Sequence, residues 1–206
     1  MCTLKNEDTL QDRRRDILEA AELVFATRGF AAARMDDIAE TAGVAKGTLY
    51  LYFRSKQVLF VELLEARAEE YVTTLDAYLR EAKSLADCLG ILATLRGQLF
   101  VKNQRLAESI SHSVPDFPRE LQYRVWNIRR ALQRPTEEAL ERFLPADYPV
   151  PPSQTAAIVN GAIDYLVGIC VLDGEQMVLS EVAKDIQYVL LPGLSRGRQD
   201  RAFNEL

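Results

Sequence analysis

The sequence predicts an all-α protein with a small N-terminal three-helix unit and a larger helical body. Over almost every segment, apolar residues recur at three- and four-residue steps, which is typical of helices rather than strands. Glycine, serine and proline separate these segments, as expected at helix ends. The chain has 206 residues, of which 48% are hydrophobic, and this is enough for a packed core.

The N-terminal unit is predicted to contain three helices. Apolar residues repeat helically over residues 17–25, and Gly29 is expected to end the first helix. A short second helix is predicted over residues 35–42, followed by Gly43 in the left-handed conformation that glycine permits. The third helix is predicted from about Lys46 to Phe53.

The remaining segments predict the helical body. Ser55 is a good N-cap for a long fourth helix that continues towards Arg80. Pro135 is expected to kink or split the helix that contains it, and Pro192-Gly193 is expected to end the last helix. Further helices are predicted at about 85–101, 103–112, 118–143, 154–172 and 180–191.

The three N-terminal helices have the proportions of a helix-turn-helix, with about 16, 8 and 8 residues. On helical spacing, Leu49 and Phe53 share one side of the third helix and are expected to pack on Ile38 and Phe25. The opposite side would then face outwards, where a nucleic-acid groove can be read.

That outer side carries side chains with chemistry for DNA. Lys46 can reach a base edge or a phosphate, and Gly47 lets the backbone approach closely. Thr48, Tyr50 and Tyr52 can hydrogen-bond phosphate oxygens, although both tyrosines could instead be half-buried core residues. The pattern therefore predicts DNA contacts by all five residues.

Lys56 is a further candidate, because it lies in the first turn of the fourth helix beside free N–H groups and could hold a phosphate. The charge distribution permits such a local surface. Residues 1–56 hold nine basic and nine acidic residues, whereas the whole chain has a net charge of −5. This acidity argues against a nonspecific nucleic-acid coat but not against a local basic face.

Composition excludes several other classes of protein. No run of residues approaches the length of a membrane span, and no apolar stretch near the start resembles a secretory signal. The three cysteines are far apart, which fits a reducing, cytoplasmic location. One histidine cannot build a typical metal cluster, and no P-loop or nucleophile-elbow motif is present, so neither a cofactor nor an enzymatic activity is predicted.

The motifs "ILEAAELVFATRGF" and "MDDIAETAGVAKGTLYLYFRSKQVLF" give the N-terminal quarter a specific resemblance. They are similar to the tetracycline-repressor (TetR/AcrR) family of bacterial transcriptional regulators. The resemblance implies a homodimer with a DNA-binding domain over residues 1–56 and a ligand-binding and dimerisation domain over residues 57–206. It also implies dimerisation through the last two long helices, at about 154–191, and release from operator DNA by a small molecule.

Two positions depart from the family pattern. At the start of the second helix, this chain has Ala33-Arg34 where the family usually has Ser or Thr. At the cap of the third helix, it has Ala45 where the family often has Ser. A lost cap costs about 1 kcal/mol, so the third helix is expected to be less rigid without DNA. Arg34 could compensate by contacting a phosphate itself.

The expected function is a DNA-binding regulator, most simply a repressor, that binds a palindromic double-stranded operator as a dimer. A mostly apolar effector is expected to enter the body, with His112, Tyr123 and Trp126 as its polar-tipped anchors. The alternative is an architectural DNA-binding protein without an effector. The absence of an internal pocket would favour this alternative over a ligand-responsive regulator.

Overall fold

The computed structural model of the chain describes residues 2–102, 113–172 and 179–196, together with Leu106 and Ile110. Within these residues the chain forms helices and no strand, which confirms the all-α prediction. A short 3-10 helix spans Val114–Asp116. The α-helices are α1 (Cys2–Ala32), α2 (Met35–Thr41), α3 (Lys46–Tyr52), α4 (Lys56–Glu81), α5 (Leu85–Lys102), α6 (Arg119–Phe143), α7 (Pro152–Leu172) and α8 (Leu179–Leu194).

The helices pack into two compact units. Unit 1 comprises residues 1–68 and 103–128, and unit 2 comprises residues 69–102 and 129–206. The beginning of α4 and the beginning of α6 belong to unit 1, because their apolar residues are buried in its core. The predicted division into residues 1–56 and 57–206 is a functional one, and it stays a prediction.

The core of unit 1 is rich in aromatic side chains. Phe25 and Phe60 meet edge to face with their ring centroids 5.2 Å apart, and Phe30 lies 5.1 Å from Phe117. Gly29 adopts a φ of 74°, a left-handed value that interrupts the helical backbone of α1 before one further turn to Ala32. The prediction that the helix breaks at Gly29 is therefore correct to within three residues.

The core of unit 2 is formed mainly by α4, α5, α7 and α8, with part of α6. Leu75, Leu89 and Ile163 are fully buried in it. The guanidinium of Arg142 donates hydrogen bonds to the carbonyl oxygens of Leu79 at 3.0 Å and Ala82 at 3.1 Å. These bonds satisfy carbonyl groups at the end of α4 that have no partner within the helix.

At Pro135 the structure excludes a split helix, and at Pro192 the last helix extends beyond its predicted end. α6 is not split at Pro135, which is buried beside Thr136. The Thr136 hydroxyl donates a hydrogen bond to Asn160 on α7 at 3.1 Å. This packing stabilises the turn of α6 around Pro135, where the proline lacks the N–H group for a helical hydrogen bond. α8 continues through Pro192 to Leu194, whose buried side chain attaches the last turn to the unit 2 core.

Other predicted helices agree with the structure. The Oγ of Ser55 accepts a hydrogen bond from the Val58 N–H at 3.2 Å, which confirms the N-cap of α4. The helix predicted at 103–112 falls on residues of which only Leu106 and Ile110 are described. In the part of the chain that the structure describes, no helix has the length and apolarity needed to cross a membrane. The same residues contain no group of three potential metal ligands.

Candidate nucleic-acid interface

The helices α2 and α3 are joined by a tight turn centred on Gly43. Its φ of 64° lies in the left-handed region predicted for this glycine. The N–H of Gly43 donates to the carbonyl of Glu40 at 3.1 Å, and that of Val44 donates to Ala39 at 2.9 Å. The turn thus ends α2 and fixes the start of α3, as in a helix-turn-helix.

Buried side chains fix which side of α3 faces outwards. Leu49 and Phe53 are fully buried in the same cluster as Ile38 and Phe25, and Val44 packs against that cluster. The inward packing predicted from helical spacing is therefore confirmed. Because these residues hold the inner side, the opposite side of α3 is presented to solvent.

The outer side of α3 is an exposed surface formed by Lys46, Gly47, Tyr50 and Leu51, which we call the reading face. The Lys46 side chain is 60% exposed, and Tyr50 is 44% exposed. No atom outside the helix's own local backbone and neighbours lies within 4 Å of a Cβ built on Gly47. This face therefore has room for close approach by another molecule.

Leu51 is a part of the reading face that the sequence analysis missed. It is 86% exposed, although leucine is usually at least partly buried in a folded domain. The signal was available in helical spacing, since Leu51 lies four residues after Gly47 and shares its side of the helix. The other predicted residues, Thr48 and Tyr52, are half-buried, and Tyr52 packs against the unit 1 core.

Asp36 on α2 lies beside the cations of this surface. Its Oδ1 is 2.6 Å from Nζ of Lys46, and its Oδ2 is 4.0 Å from the guanidinium of Arg34. The hydrogen bond and the charge of Asp36 raise the pKa of Lys46. In turn, the hydrogen bond from Lys46 lowers the pKa of Asp36. In the free protein, the ammonium group of Lys46, which is predicted to contact DNA, is therefore paired with the exposed carboxylate of Asp36.

The two missing caps noted in the sequence are missing in the structure as well. Arg34 and Ala45 occupy the N-cap positions of α2 and α3, and neither makes a side-chain cap hydrogen bond. Asp36 and Asp37 lie in the first turn of α2, where negative charge favours the helix dipole. Acidic residues thus stabilise the start of α2, whereas α3 has no acidic residue in its first turn.

Lys56 has a structural contact within unit 1. Its ammonium group donates to the carbonyl oxygens of Phe30 at 2.7 Å, Ala33 at 2.8 Å and Ala31 at 3.1 Å. It also lies 4.5 Å from the ring centroid of Phe30. Three acceptors match the three donors of an ammonium group, so Lys56 caps the end of α1. Its predicted phosphate contact stays untested.

The structure describes two of the three predicted effector anchors, Tyr123 and Trp126. His112 lies outside the described residues. Tyr123 and Trp126 are 63% and 53% exposed and stack on each other, with ring centroids 6.1 Å apart. The helical period of α6 turns Leu121 and Val125 into the unit 1 core and places the two aromatics outside. Their position does not support the predicted role of lining an internal cavity.

Exposed apolar side chains also occur on α7 and α8 in unit 2. Ile158 and Tyr165, seven residues apart on one side of α7, are 60% and 73% exposed, and Gly161 lies between them. On α8, Tyr188 and Val189 are 84% and 71% exposed. We call these residues the apolar face.

Gly168 does not belong to the apolar face. A Cβ at Gly168 would lie 3.6 Å from Cζ of Phe100, so this glycine faces α5 of the same chain. Gly161 has no atom within 4 Å of a built Cβ, and its side of α7 remains open.

Known proteins resemble the N-terminal region most strongly. Residues 17–63 match the family described as bacterial regulatory proteins, tetR family. The HTH-type transcriptional regulator TtgR of Pseudomonas putida is 33% identical over 114 residues, covering 52% of this chain and 53% of TtgR. The fatty acid metabolism regulator protein of Bacillus subtilis is 28% identical over 91 residues, covering 44% of this chain and 47% of that protein. The matches thus span about half the length of these relatives.

Solved structures resemble the fold over most of the chain. The regulator FadR from Bacillus subtilis, solved in complex with stearoyl-CoA, has a TM-score of 0.73 at 20% identity, covering 87% of this chain and 98% of FadR. A regulator from Saccharomonospora viridis, solved with choline, has a TM-score of 0.72 at 19% identity, covering 88% and 96%. At such identities the likeness concerns the fold alone. The helix-turn-helix of α2 and α3 lies within residues 17–63, so this N-terminal region is of the type found in the tetR family of bacterial regulatory proteins.

Proposed function

We propose that the chain is a ligand-responsive repressor that binds a palindromic operator as a homodimer and is released by a small, mostly apolar effector. The observation that carries this proposal is the reading face of α3. Buried Leu49 and Phe53 hold the helix in place, and Lys46, Gly47 and Tyr50 are presented together to solvent. These side chains offer a cation, a close backbone approach and a hydroxyl group, which are the means of contacting a DNA groove.

Dimerisation is supported by the apolar face of α7 and α8. Its exposed tyrosines and aliphatic side chains would be shielded from water by a second copy of the same surface. A two-fold dimer presents two identical reading faces, so it recognises the same bases twice in inverted order. This symmetry is the reason for expecting a palindromic operator.

Release by an effector is supported by the continuity of α4. This helix carries Lys56 in unit 1 and continues to Glu81 in unit 2, so a ligand that displaces its second half also acts on its first half. A tenfold release requires only about 1.4 kcal/mol of differential affinity between the two states. The ligands bound in the solved structures of the two similar regulators, stearoyl-CoA and choline, support a small-molecule effector.

Selection of sequences from a random duplex pool by the purified protein tests the proposal. The wild-type protein is expected to enrich inverted repeats, whereas Lys46→Ala should bind them more weakly and with relaxed preference at one position. Lys83→Ala, which removes a cation from an exposed site in unit 2, is the control and should select the same repeats as the wild type. Recovery of no sequence, or only of sequences without inverted symmetry, would contradict the proposal.

A further inference from the structure

Besides the buried pair of Thr136 and Asn160, unit 2 contains a cluster of three polar side chains, which are Tyr71, Arg96 and Asp164. Tyr71 on α4 is 8% exposed, and its buried hydroxyl group has no acceptor for its proton among the described residues, while the guanidinium of Arg96 lies close enough to interact with its oxygen. The Arg96 side chain on α5 is 11% exposed. Its Nε and Nη2 donate to the carboxylate oxygens of Asp164 on α7, at 2.8 and 2.5 Å. Asp164 itself is half exposed.

The unpaired group of this cluster is a hydrogen-bond donor. Burial raises the pKa of the Tyr71 hydroxyl to about 12, so this group keeps its proton at neutral pH. Arg96 carries five N–H donors and no acceptor, and Asp164 engages two of them. The cluster therefore combines an unused donor and a buried cation with a single carboxylate that reaches water.

Packing alone does not account for the Tyr71 hydroxyl. The neighbouring buried residues of the same core, such as Leu75 and Leu92, are apolar, and phenylalanine would fill the site without leaving a polar atom unpaired. A buried polar group without a partner is costly, and such groups are uncommon in folded proteins. The hydroxyl is explained if an acceptor arrives from outside the chain.

We propose that Tyr71 and Arg96 bind the carboxylate head group of the effector, whose apolar body lies among the surrounding apolar side chains. This inference rests on the proposed function and names the chemical class of its effector, an apolar carboxylic acid. The hydroxyl of Tyr71 donates to one carboxylate oxygen, and the guanidinium of Arg96 donates to the same carboxylate. Asp164 then turns into solvent, which its half-exposed position allows, so that Arg96 remains paired with one negative charge.

The test compares Tyr71→Phe with Tyr78→Phe, which removes a hydroxyl from an exposed tyrosine of the same helix. The full-length protein is titrated calorimetrically, without DNA, with decanoate, hexanoate and phenylacetate, and with decanol as the uncharged probe. The wild type and Tyr78→Phe are expected to bind at least one of the acids and to prefer decanoate to decanol. Tyr71→Phe should weaken binding of that acid by about tenfold, the effect of one hydrogen bond to a charged group.

A second measurement separates a ligand anchor from a hydroxyl that a buried water satisfies. Without ligand, Tyr71→Phe should melt at a higher temperature than the wild type, because the variant no longer buries an unpaired donor. A lower melting temperature, equal acid affinity in Tyr71→Phe and the wild type, or no binding of any acid by the wild type would overturn the inference. Operator selection is independent of these results, so a protein that selects inverted repeats but binds no acid retains its proposed function and lacks this site.

Discussion

Lys46 and Asp36 form an ion pair across the helix-turn-helix, with 2.6 Å between Nζ and Oδ1. The pair holds the cation of the reading face beside an exposed acid. A phosphate or base edge that approaches Lys46 competes with Asp36, and a phosphate is also repelled by the negative charge of Asp36. We therefore expect Asp36 to oppose the proposed DNA contact of Lys46 in the free protein.

The first prediction follows from this pair. Asp36→Asn should raise the affinity for all duplexes several-fold, because it frees Lys46 and removes a negative charge from the surface facing the DNA. Fluorescence anisotropy at several salt concentrations measures the effect. Asp76→Asn, which breaks the exposed ion pair with Arg80 in unit 2, is the matched control and should leave affinity unchanged. A lower affinity in Asp36→Asn would show that Asp36 orients Lys46 rather than restraining it.

Lys56 gives the second prediction. Lys56→Met removes three hydrogen bonds to carbonyl groups at the end of α1 and should lower the free energy of unfolding by about 1–2 kcal/mol, a value reduced by its partial exposure. Denaturant unfolding checks this value, with Lys83→Met as the control for loss of an exposed lysine.

The same variant decides the role of Lys56 in DNA binding. If the Lys56 ammonium group only donates hydrogen bonds to the carbonyl groups of α1, the operator affinity of folded Lys56→Met should depend on salt concentration as that of the wild type does. Unchanged stability together with a flatter salt dependence would restore the phosphate contact predicted from the sequence.

The third prediction concerns Leu51. An exposed leucine on the reading face can contact the 5-methyl group of thymine, so replacing one operator thymine by deoxyuridine should cost about 0.5–1 kcal/mol. With Leu51→Ala the same replacement should have no effect, because the contact is already absent. Leu23→Ala, at an exposed leucine of α1, is the control and should keep the full methyl effect. If replacing thymine by deoxyuridine changes the affinity of the wild type and of Leu51→Ala equally at every thymine, Leu51 does not contact a thymine methyl group.

The fourth prediction tests the apolar face. Tyr188→Glu should dissociate the dimer at micromolar concentration, because a second copy would bury an unpaired charge. Tyr78→Glu introduces the same charge at an exposed tyrosine of α4 and should remain dimeric. Sedimentation velocity distinguishes the two states. If Tyr188→Glu and Gly161→Glu both sediment as dimers, the interface lies elsewhere on the chain.

The helices and the inner side of α3 could be predicted because they depend on local patterns. Gly43 marks a left-handed turn, Ser55 marks an N-cap, and the spacing of Leu49 and Phe53 marks the buried side. Whether Pro135 splits α6 could not be decided from the sequence, since this depends on packing against residues far along the chain.

The partners of charged side chains were equally inaccessible to sequence reasoning. Lys56 meets carbonyl groups more than twenty positions earlier in the chain, and Asp36 meets Lys46 only because the turn at Gly43 brings α2 and α3 together. The exposure of Tyr123 and Trp126 depends on which side of α6 the unit 1 core covers. Such choices are made by tertiary packing and not by residue type.

The most direct test of a symmetric DNA-reading dimer is the stoichiometry and affinity of the wild-type protein on a selected operator. Calorimetry or anisotropy should give two chains per duplex. Scrambling one half-site, with the duplex length unchanged, should weaken binding by at least about tenfold, because one reading face loses its base contacts. One chain per duplex, or equal affinity for the intact and the half-scrambled operator, would contradict the account.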